Sequence, residues 1–150
     1  VLGAHVPSPL GRLLRLPAVP FLLAGDPEFT VIEDHDAALA FTLAAQHRFD
    51  GSINVMADGS ITARKAALIG KRLPVPVVGP GWWVARQLAN VAGAPVPDHV
   101  VETLRHGRLA HHSDNSRQIH FAPRHTTHEV IARLFEWPSV VRVPAAQRAA

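Results

Sequence analysis

Apolar positions recur along the chain in short bursts separated by turn residues, and these bursts set the predicted elements. Ser8-Pro9 reads as an N-cap and first helical residue. Leu10, Leu13 and Leu14 then give one face of a helix running to Leu16, with Arg12 and Arg15 off that face. Pro17 and Pro20 break it, and Val19–Leu23 predicts an edge strand. After the turn at Gly25-Asp26-Pro27, the β-rich run Phe29–Ile32 predicts a short strand. Asp34 is placed to cap an apolar helix over Asp36–Arg48, with Asp36 near its positive end.

Asp50-Gly51 turns the chain into a predicted strand over Ser52–Met56, and Asp58-Gly59 turns it again. Ser60 or Thr62 caps a helix that Gly70 ends. Pro74–Val78 is extended by its prolines and suits only a sheet edge or an irregular crossing. A helix follows over Trp82–Ala92, closed by Gly93. A shorter one opens at Pro97-Asp98, with Val100, Val101 and Leu104 as its apolar face, and ends before Gly107. Thr126 and Glu129 form a capping box for a last helix bearing Val130, Ile131, Leu134 and Phe135. Trp137-Pro138 ends it, so residues 1–137 are the folded part and 138–150 a tail. The pattern predicts a mixed α/β fold, several helices with a few short strands in an incomplete sheet, which calls for a partner sheet.

A length of 150 residues suits one domain, and 47% apolar with 18% charged residues permits a core and excludes global disorder. No apolar run approaches the roughly 18 residues of a membrane span. Cysteine is absent, which removes disulfides, thiol catalysis and thiolate zinc sites. Together with the lack of a leader pattern, this gives a cytoplasmic expectation. The net charge of +3 comes from fifteen scattered basic residues against twelve acidic ones. No basic block points to nucleic acid. Val1 opens the chain and Met56 is its one methionine, so the sequence reads as a piece of a longer protein. Tyrosine is absent as well.

Among candidate chemistry, Glu33-Asp34-His35-Asp36 sets carboxylates beside a histidine, as acid/base or metal chemistry requires. Helix capping and charge complementarity explain the same residues more simply. Of ten histidines, His111, His112, His120, His125 and His128 could in principle converge on a metal. No pair has the helical i, i+4 spacing with an acidic base, and no metal is expected. Gly79-Pro80-Gly81 is too short for a phosphate cradle, and Pro80 removes an amide donor. Trp82 and Trp83 read as core or lid packing, with a stacking platform as the alternative.

The stretch Gly25–Ala38, followed by Gly51-Ser52-Ile53-Asn54-Val55-Met56-Ala57-Asp58-Gly59 and the Thr62–Gly70 helix, resembles the NAD-dependent epimerase/dehydratase family. These are the extended short-chain dehydrogenases, including UDP-glucose 4-epimerase-like proteins. The likeness continues through Gly107-Arg108, Asp114-Asn115-Ser116-Arg117, Phe121-Ala122-Pro123 and Thr126-Thr127-His128-Glu129, and covers residues 1–137. It implies the C-terminal, substrate-side part of a Rossmann-type enzyme. The preceding half would hold the NAD loop and the catalytic Tyr-x-x-x-Lys, so no catalytic residue is expected in this chain and the piece alone is expected to be inactive. In the family, hydride leaves a sugar carbon and returns to the other face of a keto intermediate.

The same resemblance implies Arg108 and Arg117 as anion contacts and Asp36 as a tie beside the substrate cleft. A nucleotide-sugar or other small molecule is the implied ligand, with neither nucleic acid nor membrane as partner, and there is room for a homodimer of the longer protein. Glu28 stands where the family carries an Arg near the nucleotide-sugar phosphate, Glu33 where a His precedes the acidic pair, and His35 in place of its first acid. An acid at position 28 would repel a diphosphate. That favours the alternative of a hydroxysteroid or other carbonyl substrate, while a non-catalytic dinucleotide-binding scaffold is a third reading.

Overall fold

The computed structural model describes residues 1–4, 6–79, 81–109 and 118–137. The Ser8 hydroxyl accepts from the Gly11 amide at 3.3 Å, opening helix α1 (Pro9–Leu14) as its sequence predicts. Strand β1 (Ala18–Leu22) follows, then β2 (Glu28–Phe29), helix α2 (Asp34–Gln46), β3 (Ile61–Thr62), helix α3 (Ala63–Ile69) and β4 (Leu73–Val77). Helices α4 (Gly81–Val91), α5 (Asp98–His106) and α6 (Thr127–Glu136) complete the described elements. The architecture is mixed α/β, with six helices and two small two-stranded ladders among the described elements.

β1 and β4 pair in parallel, Ala18 opposite Leu73 and Leu22 opposite Val77. The ladder accommodates three prolines through parity. The Leu73 amide donates to Pro17 O and the Leu23 amide to Val77 O, so odd-numbered residues face the partner strand. Pro20, Pro74 and Pro76 are even-numbered and point their missing N–H outward, where no ladder bond is lost. β2 and β3 pair antiparallel.

Three sequence expectations meet a different outcome. The predicted strand at Ser52–Met56 forms no ladder; its Ile53 and Val55 instead pack on a small cluster with Ile32, Ala40, Ile119 and Phe121. The Phe29–Ile32 strand is shortened to β2, and its continuation is held by single bridges. One of them sets Leu2 against Glu33. Asp34 does not cap α2. It is the first helical residue, its carboxylate accepts from the adjacent His35 amide at 2.9 Å, and Glu33 occupies the cap position without a capping side-chain bond.

The main core joins α1, β1, β2, α3, α5 and α6 through Leu2, Leu13, Val19, Phe29, Leu104 and Ile131. Helix α3 lies close on β1 and β4 because the residues it buries are Ala63, Ala66 and Ala67. Gly70 follows it where a Cβ would overlap the Phe135 ring of α6, so α3 and α6 meet at a point with room for hydrogen alone. Helix α6 starts with the predicted capping box, Glu129 N to Thr126 Oγ1 at 3.3 Å and Thr126 N to Glu129 Oε2 at 2.7 Å. Its far end is held by the Arg15 guanidinium, which donates to Leu134 O and Trp137 O.

Candidate functional site

Arg108 is placed by main chain. Helix α5 ends at Gly107, whose φ of +74° turns the backbone, and a Cβ there would lie 2.6 Å from Glu28 O. Glycine is therefore required for both conformation and space. Beyond it, the Arg108 amide donates to Glu28 O at 3.0 Å and Arg108 O accepts from the Thr30 amide at 3.1 Å. The backbone is clamped to the β2 strand while the side chain remains exposed.

The side chain borders a cleft of about 460 Å³, within the size range of small-molecule sites. Its walls come from the α1 start, the β2 strand, the 53–56 segment and α5, including Leu10, Val31, Met56, His99 and Val100. Among the described residues, no Asp or Glu lines it.

Glu28 lies elsewhere. Its carboxylate accepts from the Ser60 hydroxyl at 2.5 Å and borders a separate hollow with Arg64 and Lys65. Glu28 is not among the residues that line the Arg108 cleft.

Asp36 and Arg108 are not brought together on that cleft. Asp36 is fully buried. Its Oδ2 accepts from the Arg124 amide at 2.9 Å, and Arg124 Nε stands 3.9 Å from Oδ1. This buried carboxylate ties α2 to the loop ahead of α6 through a main-chain amide. Arg117, the third expected site residue, lies outside the described residues, as do His111 and His112.

Beside Asp36, buried Glu33 meets Arg133 Nη2 at 3.2 Å and His125 Nδ1 at 2.9 Å. His125 Nε2 also faces Arg133 Nη1 at 3.3 Å. The Nδ1–Glu33 approach is short but off the hydrogen-bonding direction, making it an electrostatic contact.

Glu33, Asp36 and His125 bring candidate metal-ligand atoms within 4.8 Å of one another. At that place Arg133 Nη2 pairs with Glu33 at 3.2 Å, and Arg124 Nε stands 3.9 Å from Asp36 Oδ1. The sequence marks Glu33 as part of an acidic run, but only the fold reveals its partners.

The Gly81 and Trp82 amides at the start of α4 donate to Val78 O and Gly79 O, so they are not free for a phosphate. Trp82 is buried, as core packing requires, whereas Trp83 is exposed and away from the cleft.

Among relatives, one uncharacterized protein in each of two strains of Mycobacterium tuberculosis is 27% identical over 142 residues. An uncharacterized Mycobacterium bovis protein matches to the same degree. Each match takes in 90% of this chain and 36% of the relative, so the chain spans about a third of their length. No family model and no solved structure matches the sequence.

Proposed function

We propose that this chain is the C-terminal, substrate-side portion of a longer NAD-dependent epimerase/dehydratase of the extended short-chain, Rossmann-type class, acting on a nucleotide-sugar. NAD, held by the part of the protein outside this chain, would supply the hydride chemistry. The observation that supports the reading is the Arg108 cleft, a ligand-sized hollow with a permanent cation at its border and no acidic side chain among the described residues that line it. A guanidinium on clamped main chain can hold a phosphate oxygen through charge-assisted hydrogen bonds, while Leu10, Val31 and Met56 cover the less polar faces of the ligand.

Calorimetric titration of the chain with UDP-glucose tests this. Binding is expected, and Arg108→Ala is expected to weaken it about tenfold or more, the loss of one charged hydrogen bond. Because the clamp uses main-chain atoms, that variant should keep its fold. Binding unaffected by Arg108→Ala would remove the cleft from the account. The apolar wall formed by Leu10, Val31, Ile53, Met56 and Val100 favours, as a second reading, a hydroxysteroid or another apolar carbonyl compound. A protein that ignores UDP-glucose and binds such a compound would establish it.

A further inference from the structure

The fold gathers three residues whose spacing along the chain carries no metal signature. Glu33 directly precedes α2, Asp36 lies in its first turn, and His125 belongs to the loop ahead of α6. Each offers one ligating atom, and these atoms lie within 4.8 Å of one another. Glu33 and Asp36 are buried, Asp36 completely.

Two polar atoms of this cluster, Asp36 Oδ1 and His125 Nδ1, are buried without a hydrogen-bond partner. The other Asp36 oxygen, Oδ2, is satisfied by the Arg124 amide at 2.9 Å. Oδ1 has only Arg124 Nε at 3.9 Å, beyond hydrogen-bond reach and on a largely exposed side chain. A buried carboxylate oxygen left bare costs stability until an electropositive group meets it. His125 Nδ1 stands 2.9 Å from Glu33 Oε2 but off the hydrogen-bonding direction, so the two atoms lie side by side and unbonded. Glu33 Oε1 meanwhile pairs with Arg133 Nη2 at 3.2 Å. Each acid therefore has one oxygen fixed by a donor outside the cluster and one left for it, as in carboxylates that ligate metals.

The donor set narrows the ion. One imidazole nitrogen with two carboxylate oxygens suits zinc and its first-row neighbours, whereas calcium and magnesium favour oxygen alone. A zinc ion about 2.1 Å from each ligand atom holds those atoms roughly 3.4 Å apart, with a fourth position for water. Arg133 is the opposing charge. Its Nη1 lies 3.3 Å from His125 Nε2. A metal on Nδ1 leaves the ring proton on Nε2, so that contact opens while the Nη2 pairing with Glu33 stays. The ion gains two carboxylates in exchange, one of them without a close cation.

We propose that Glu33, Asp36 and His125 bind a divalent ion of the zinc class, fastening the start of α2 to the loop ahead of α6, independently of the reading of the Arg108 cleft. The test is titration of the full chain, freed of metal by chelator, with Zn²⁺ alone. Calorimetry is expected to show one ion per chain, and the unfolding temperature is expected to rise with it. Asp36→Asn keeps an acceptor for the Arg124 amide but loses a ligating oxygen, and should weaken binding at least about tenfold.

His125 is only half-buried, so His125→Ala decides the matter if Asp36→Asn misfolds, and the same loss is expected. His128→Ala, at an exposed position outside the cluster, should leave binding unchanged. Co²⁺ in place of Zn²⁺ should give visible absorption that His125→Ala removes. A chain that binds no zinc would overturn the proposal. So would binding indifferent to His125→Ala, or binding that falls equally with His128→Ala, the mark of ions held by surface histidines.

Discussion

The Glu33 carboxylate meets the Arg133 guanidinium at 3.2 Å, joining the residue ahead of α2 to the outer half of α6. Glu33 is almost wholly buried, while the Arg133 side chain is 42% exposed. The pair therefore acts mainly by keeping a buried carboxylate from being left alone. Arg133→Leu should cost about 2 kcal/mol, below the full penalty for breaking a buried pair because water reaches Arg133. Glu33→Gln/Arg133→Leu should recover part of it. Urea unfolding of the two variants checks this; a double variant no more stable than Arg133→Leu would show that the unpaired carboxylate is not the cause.

Gly70 and Phe135 set the distance between α3 and α6. Adding a methyl in Gly70→Ala forces the ring aside, with an expected loss of about 1–3 kcal/mol. Combining it with Phe135→Leu should cost less than the sum of the single changes, because the two residues touch. A thermal unfolding cycle measures the coupling, and strict additivity would contradict the contact.

Caps were the most legible features of the chain. Ser8-Pro9, Thr62 and the Thr126–Glu129 box form as their local sequence predicts, because each bond closes within three residues. The Ser52–Met56 segment has strand-like composition, yet a ladder needs a partner, which composition does not specify. Asp34 resembles a cap, but the Arg133 and His125 contacts on Glu33 accompany a helix start one residue earlier than a capping Asp34 would require. The Arg108 cleft was legible only as an expected anion contact. Its walls come from four parts of the chain, and the separation of Glu28 from it depends on the Ser60 bond.

The capping box also predicts a pH response. Glu129 is held below the ordinary carboxyl pKa, first by its bond from the Thr126 amide and then by the Thr126 hydroxyl. A depressed folded-state pKa means that its contribution to stability is present above the unfolded-state value and disappears as pH falls through the folded-state value. Glu129→Gln should therefore flatten the acid limb of a stability profile, leaving neutral pH as the condition where wild type gains most over the variant. An identical acid limb in both proteins would show that the box does not supply this stabilisation.

The most direct test of the central claim is thermal unfolding of the longer protein with NAD, with UDP-glucose, and with both. A stabilising shift with NAD that grows when UDP-glucose is added is the predicted result, whereas the 150-residue chain alone should show no NAD-dependent turnover. No shift with either ligand, or turnover by the chain alone, would contradict the account.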